Sequence, residues 1–343
     1  MPELAIIADD LTGALDAAAP FAMRGIHTVV ALSPGALQNA IATGARVVGV
    51  STSSREIAAD EARSAVHAVV TALPRGTRLF KKIDSRLKGN IAAELDAIPH
   101  ARSLVIPAIP AFGRWVRSGK LGGFGVAEPI GIAARLGRHA SAATIPDIAA
   151  QADLDAALAL PHDLPVGARG LAEAMARAMA PEPLVPDTSL PDAPAYCVIG
   201  STDPITLAQL AFLRASVPDL AYVEAPGGVG PEHLPPPARL TVLQATPAGP
   251  RDGAVVATAL AETLVRLTPP RGSLLVVSGG ETAQIVLNHL GIHVLDLVGE
   301  ALPGLPLARA GGLTVVTKSG GFGSEETLQL LFALRHAHEE RTA

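Results

Sequence analysis

The stretch Leu4-Ala5-Ile6-Ile7-Ala8-Asp9-Asp10-Leu11-Thr12-Gly13-Ala14-Leu15-Asp16 decides the fold class. Five apolar residues in succession read as a strand buried on both faces, the pattern of a parallel sheet. Two aspartates interrupt it, and small apolar residues at helical spacing come next. A strand, a short polar turn and a helix form the opening of a βαβ unit, and open parallel sheets place their ligands at such junctions. A second junction of this kind stands near the other end, where Lys318-Ser319-Gly320-Gly321-Phe322-Gly323-Ser324 succeeds the apolar run 313–317. The first junction offers carboxylates and a hydroxyl; the second offers a lysine, glycines and backbone N–H groups. Together they suggest an acceptor site and a phosphate site.

Working outward, strands are expected at 4–8, 27–32, 46–51, 78–83 and 103–107, separated by helices at 13–24, 34–43, 58–73 and 89–98. After residue 107 the alternation lapses. Residues 113–137, rich in glycine and arginine without a sustained period, read as a long functional loop or lid, and helices are expected near 147–160 and 170–180. The proline-rich stretch 181–194 has the composition of a linker. Alternation then restarts, with strands at 196–199, 220–224, 240–244, 273–277, 293–297 and 313–317 and helices at 204–215, 253–267, 281–290 and 324–338. The expected fold class is therefore α/β, with two domains, 1–180 and 195–343, each a mostly parallel sheet flanked by helices.

Composition narrows the function classes. The 343 residues are 49% hydrophobic with few aromatics, so alanine, leucine and valine must fill the interior. A net charge of −5 and the absence of a basic run argue against nucleic acid. The single cysteine, Cys197, rules out an internal disulfide and fits a reducing compartment. No apolar run approaches membrane-spanning length, so a soluble, cytoplasmic protein without a membrane partner is expected; homo-oligomerisation stays open. Of 27 basic residues only five are lysines: Lys81, Lys82, Lys88, Lys120 and Lys318, nearly all beside glycine-rich turns. An ammonium there suits a phosphate or carboxylate, although drift in an arginine-rich sequence would give the same count.

Four loops carry candidate chemistry. Asp9 and Asp10 precede a helix whose free N–H groups favour anions; one carboxylate could bind hydroxyls while the other accepts a proton, and the plainer role of Asp10 or Thr12 is a helix N-cap. In Lys81-Lys82-Ile83-Asp84-Ser85-Arg86-Leu87-Lys88-Gly89-Asn90, strand alternation puts Lys82 and Asp84 on one face and Lys81 on the other. Cations with a carboxylate at one turn suit an acid sugar, or else are ordinary solvated edge charges. Ser278-Gly279-Gly280-Glu281-Thr282-Ala283 and the Lys318 loop both open helices after apolar strands, so their amides can approach phosphate oxygens closely. Neither is a Walker motif.

The set ADDLTGALD (8–16), STSSR (51–55), KKIDSRLKGN (81–90), PAIPAFGR (107–114), VIGSTD (198–203), SGGETA (278–283) and KSGGFG (318–323) resembles the four-carbon acid sugar kinase family. The resemblance implies an N-terminal domain that binds a tetronate-like acid sugar and a C-terminal domain that binds ATP. Such enzymes phosphorylate threonate, erythronate or 3-oxo-tetronate at a terminal hydroxyl. By that likeness Asp9, Asp10, Thr12, Gly13, Asp16, Arg55, Lys82, Asp84, Ser85, Lys88, Gly89 and Asn90 belong to the substrate side. Ser201, Ser278, Gly279, Gly280, Glu281, Thr282, Lys318, Gly320 and Gly321 belong to the nucleotide side. The chain departs from the family pattern at Ser53, at Asp203 and in the segment after Arg114.

The resulting expectation is an ATP-dependent kinase for a small sugar acid, with Asp10 orienting the attacking hydroxyl, Asp84 as the second choice, and Asp9 on substrate hydroxyls. Arg55 and the Lys82/Lys88 region would take the substrate carboxylate. The Ser278 and Lys318 loops would take the triphosphate, with Lys318 replaceable at no cost in melting temperature. Magnesium would be held mostly by phosphate oxygens and water, with no protein ligand singled out. A kinase for another hydroxy acid, or a non-catalytic acid-sugar binder, are the alternatives.

Overall fold

The computed structural model describes residues 1–182, 184, 186–236 and 238–335. The chain divides into two compact units, Met1–Pro186 and Asp187–Ala343.

In the first unit the strands are β1 (Leu4–Ala8), β2 (Thr28–Ala31), β3 (Val47–Ser51), β4 (Arg78–Lys82), β5 (Ser103–Ile106), the short β6 (Arg114–Arg117), β7 (Lys120–Gly123), β8 (Ile130–Gly131) and β9 (Ala143–Thr144), and β10 (Leu164–Gly167). Helices α1 (Leu11–Ala22), α2 (Leu37–Ala42), α3 (Ala59–Ala72), α4 (Ile91–Leu95), α5 (Ile132–Leu136), α6 (Gln151–Ala157) and α7 (Arg169–Met179) connect them. The main sheet of this unit runs β2-β3-β1-β4-β10-β5-β9, with every described pairing parallel. β1 and β3 are buried throughout, which is why they read as continuous apolar runs. Five alanines on the buried face of α1 let that helix lie close to the sheet.

The chain leaves β1 to build β2 and β3 on one side, then crosses to β4 on the other. That reversal is a topological switch point, and the crevice it creates lies at the C-terminal ends of β1, β3 and β4.

The expected loop or lid at 113–137 is instead ordered secondary structure. β6, β7 and β8 form a separate antiparallel sheet, and α5 comes directly after it. Ser118 and Gly119, with φ of 48° and 70°, supply the two left-handed residues of a tight hairpin between β6 and β7. Gly122 lies so close under Trp115 that a Cβ would stand 2.4 Å from the ring. Strands of two to four residues are too short to show a period, which is why they read as loop.

In the second unit, β11 (Ala195–Ile199), β12 (Ala221–Pro226), β13 (Leu240–Thr246), β14 (Leu274–Ser278), β15 (Val294–Leu302), β16 (Leu305–Ala310) and β17 (Leu313–Lys318) order as β12-β13-β11-β14-β17-β16-β15. The first five of that order are parallel; β16 and β15 run antiparallel. Helices are α8 (Pro204–Ser216), α9 (Gly253–Arg266), α10 (Gly280–His289) and α11 (Thr327–Ala333). The tail of the expected 324–338 helix, from 336, lies outside the described residues. The core gathers Cys197, Ile199, Val242, Val276, Leu328 and Leu331, and burial pushes the Cys197 thiol up to about 12, against a smaller pull from Lys318. No described helix is long and apolar enough to cross a membrane.

Candidate functional site

Parallel register sets Ala8 beside Ser51 and Lys82, so the loops after β1, β3 and β4 start from one edge. Arg55, from the β3 loop, organises what they bring. Its Nε and Nη2 donate to the two oxygens of Asp9, each at 2.8 Å, and its Nη1 donates to Asp10 Oδ2 at 2.8 Å. Asp84 Oδ2 lies 3.9 Å from the same Nη1. Asp9 is 2% exposed. Burial pushes its carboxyl up, but the Arg55 hydrogen bond and the charges of Lys81, Arg55 and Lys82 outweigh that and hold it below the usual carboxylate range. Burial likewise opposes the Arg55 charge, and Asp9, Asp10 and Asp84 more than restore it. Both Asp9 oxygens accept from Arg55, so this aspartate anchors the arginine.

Asp10 takes the plainer of the roles expected for it. It is the N-cap of α1, with Oδ1 accepting from the Gly13 N–H at 2.7 Å, while Oδ2 accepts from Thr12 Oγ1 at 2.8 Å and from Arg55. An ionised carboxylate has about four acceptor positions, so three occupied ones leave one for a ligand. Gly13 is required by close approach: a Cβ there would stand 2.5 Å from Asp10 Oδ1 and 3.1 Å from Lys82 Nζ. The Lys82 ammonium therefore sits against the same turn, donating to Ile83 O at 2.9 Å.

Lys81 goes elsewhere. Its fully buried ammonium pairs with Glu94 Oε2 at 3.0 Å and donates to Lys82 O at 2.9 Å and Ile7 O at 3.4 Å. The other Glu94 oxygen accepts a short hydrogen bond from Ser54 Oγ, which meets Thr52 Oγ1 at 2.6 Å. This network braces the loop carrying Arg55. Among the remaining expected residues, Asp84 Oδ1 accepts from the N–H groups of Arg86 and Lys88, closing the turn. Asn90 Nδ2 donates to Ser54 O and Ile57 O and so holds the β3 loop. Gly89, at φ +87°, passes where a Cβ would be 3.1 Å from Asp9 Oδ2. Ser85 Oγ accepts from Arg114 Nη1 at 2.6 Å. Asp16 pairs with Arg169 at 3.2 Å. Lys88 is exposed. Sequence reasoning missed Thr52, Ser54 and Arg169, and gave no role to Glu94 or Arg114.

In the second unit, register aligns Ile199 with Ser278 and Ser278 with Lys318. The three loops after these strands touch: a Cβ on Gly200 would stand 2.2 Å from Thr282 Oγ1, one on Gly320 2.6 Å from Ser201 Oγ, and one on Gly321 3.0 Å from Asp203 Oδ2. Gly279, at φ +107°, precedes α10, whose first turn holds Glu281, exposed, and Thr282, buried. The loop of residues 319–323 is pinned by its carbonyls. Lys318 Nζ donates to Ser319 O at 2.8 Å, Gly320 O at 3.0 Å and Phe322 O at 3.3 Å; Thr206 Oγ1 donates to Gly320 O and Gln209 Nε2 to Phe322 O. In a planar trans peptide C=O and N–H point in opposite directions. The N–H groups of Gly320, Gly321 and Gly323 therefore face away from Lys318 and α8.

Lys318 is thus underneath the loop. Burial pulls its ammonium down to about 8, partly opposed by Cys197 and Asp203. Its charge is satisfied by the carbonyls that shape the loop, which gives reason to expect a thermal cost of removing Lys318 where the sequence suggested none. Lys318→Met is expected to lower the melting temperature and weaken nucleotide binding together, and an unchanged melting temperature by calorimetry would return the lysine to a phosphate-contact role.

Residues 4–130 match the family model described as Sugar-binding N-terminal domain, and residues 232–328 the one described as Nucleotide-binding C-terminal domain. The D-threonate kinase of Bordetella bronchiseptica is 35% identical, the match covering 95% of this chain and 96% of that protein. The chain belongs to the four-carbon acid sugar kinase family. Other relatives are the D-threonate kinase of Cupriavidus necator, 31% identical over 94% of this chain and 95% of its own length, and the 3-oxo-tetronate kinase of Methylobacterium radiotolerans, 26% identical over 94% and 97%. Two solved structures share the fold: one from Salmonella typhimurium LT2, with TM-score 0.76, 21% identity and 97% and 98% coverage, and protein HI1011 of Haemophilus influenzae, with TM-score 0.69, 18% identity and 96% and 100% coverage.

Proposed function

We propose that this family member transfers the γ-phosphoryl group of ATP to the terminal hydroxyl of a four-carbon sugar acid. The observation that carries the reading is the Asp9, Asp10 and Arg55 cluster at the switch point of the unit that matches the sugar-binding family model. Phosphoryl transfer asks a protein mainly to position reactants and to stabilise charge. Arg55 holds Asp10 in place, and the remaining acceptor position on Asp10 receives the attacking hydroxyl. Lys82, beside the same turn, offers positive charge to the oxygens that gain it. In the second unit the N–H groups of Gly320, Gly321 and Gly323 and the start of α10 take the phosphates.

Magnesium accompanying the nucleotide would neutralise phosphate charge. Among the described residues no cluster of three or more His, Cys, Asp or Glu side chains could hold a metal, and a magnesium ion carried by phosphates needs only one or two carboxylates. Asp203 fits that need: Oδ1 caps α8 through Ile205 N–H at 2.9 Å, and Oδ2 faces Gly321.

ADP release with Mg-ATP across four- to six-carbon sugar acids tests the activity, with D-threonate first because the relatives of that name are the more similar of those compared. No turnover on any sugar acid would remove the kinase reading. Photolabelling the full chain with an azido-ATP should modify peptides within residues 187–335. Label confined to residues before Pro186 would overturn the assignment of the nucleotide to the second unit.

A further inference from the structure

The cation expected to receive the substrate carboxylate, Arg55, is already surrounded by anions. Asp9 takes it in a two-point fork, Asp10 holds a third N–H, and Asp84 lies 3.9 Å away. A substrate carboxylate placed there would be the fourth negative group around one guanidinium. Lys82 is a compact ammonium, 3% exposed, lodged against Gly13 at the Asp10 turn, which suits it to the reacting end of the substrate. Lys88 is exposed, and its backbone N–H serves the 84–88 turn.

One arginine beside this cluster differs from Arg55. Arg114 opens β6, and its Nη1 donates to Ser85 Oγ at 2.6 Å, next to Asp84. Its Nε donates to Phe124 O at 2.9 Å. These two bonds fix the plane of the guanidinium and leave three of its five N–H groups without a partner among the described residues, including both on Nη2. No described carboxylate lies within ion-pair distance of it. Its electrostatics agree: burial and then Arg86 pull its pKa down, and the more distant Asp84 and Asp16 restore only part. Ser85, accepting from Arg114, keeps its own proton to donate. A rigid planar fork with free N–H groups on two nitrogens is the geometry that matches a carboxylate.

We propose that Arg114, held by Ser85 and the Phe124 carbonyl, is the residue that binds the substrate carboxylate and so selects sugar acids over neutral sugar alcohols. This rests on the acid-sugar kinase reading and adds to it the origin of acid specificity. The small antiparallel sheet thereby delivers the cation that the parallel sheet edge does not supply.

The test compares D-threonate with threitol, its neutral counterpart, in wild type and Arg114→Met, measuring kcat and KM for both acceptors and KM for ATP. The expected result is a rise in KM for D-threonate of about 100-fold, as for loss of a charge-assisted two-point contact. Threitol turnover and the KM for ATP should be unchanged, so preference for the acid falls by the same factor. A KM for the acid within about threefold of wild type overturns the proposal, as does equal loss on both acceptors, which would make Arg114 a support for the small sheet. Should Arg114→Met unfold, Arg114→Lys keeps the charge without the fork; it is expected to raise the acid KM alone by about tenfold, and an unchanged value overturns the assignment. If wild type phosphorylates no acid, the kinase reading fails and calorimetric binding of D-threonate without nucleotide decides separately. Binding lost in the variant supports Arg114; binding retained in it, or absent in wild type, overturns it.

Discussion

Replacing Asp10 by asparagine is expected to lower turnover by about 10²- to 10⁴-fold, the usual range for a group acting on the transferred proton, with the fold and nucleotide affinity kept. Asparagine caps a helix about as well as aspartate, so the bond from Gly13 N–H to the side chain of residue 10 survives. What disappears is the negative charge on Oδ2, the oxygen shared by Thr12 and Arg55 and proposed to orient the acceptor hydroxyl. Steady-state kinetics with Mg-ATP, with circular dichroism as the fold control, measure this. Asp9→Asn should behave differently, because it undoes the two-point hold on Arg55 and so costs stability as well as activity. Since folded Asp9 ionises below its unfolded value, its contribution to stability is complete above the usual carboxylate range and fades as pH falls through the lowered value. Near-normal turnover in Asp10→Asn would leave this residue a cap. The proton-accepting role would then pass to Asp84, whose Oδ2 faces Arg55.

The parallel strands were legible because burial on both faces leaves unbroken apolar runs: β1, β3, β11 and β14 are buried at every position. β10 and β16 were not. β10 is four residues including a proline, and β16 alternates weakly beside a tight turn at Gly304. The β6 to β8 sheet depends on left-handed residues at Ser118 and Gly119, and nothing in the composition of 113–137 shows that they pair.

Within the site, residue types were legible while partners were not. Arg55 lies 46 and 45 positions after Asp9 and Asp10 in sequence, and no local pattern says that the arginine consumes one aspartate and steadies the other. Lys81 and Lys82 look equivalent in sequence. Strand alternation separates them, but only the structure shows Lys81 buried on Glu94 and Lys82 at the Asp10 turn. The signal for Glu94 was present: an acid three residues after the apolar Ile91 stands beside it on the buried side of the helix. For Lys318, its position just before a glycine loop suited a phosphate contact, and only the loop's carbonyl directions distinguish a contact from a support.

The largest stability effect is expected at the Lys81 and Glu94 pair. Both side chains are almost completely buried, at 0% and 1% exposure, so neither charge has water to fall back on. Removing one partner of such a pair typically costs about 3–5 kcal/mol, because the other is left buried and unmatched. Glu94→Gln should therefore lower the melting temperature of the first unit by roughly 6–20 °C, given about 2–4 °C per kcal/mol for a unit of this size. It should also reduce turnover, since a glutamine that keeps its oxygen toward Ser54 turns its NH2 group at the Lys81 ammonium, and one that serves Lys81 deprives Ser54 of its acceptor; either way the loop that presents Arg55 loses part of its brace. Replacing both charges together, as Lys81→Met with Glu94→Leu, should recover most of the melting temperature, because an apolar pair needs no desolvation of charge. Turnover should stay low in that double variant, as leucine gives Ser54 no acceptor. A melting temperature for Glu94→Gln within about 2 °C of wild type would show that the buried pair is not what braces this edge of the sheet. Recovery of turnover in the double variant would separate the Arg55 loop from the pair beneath it.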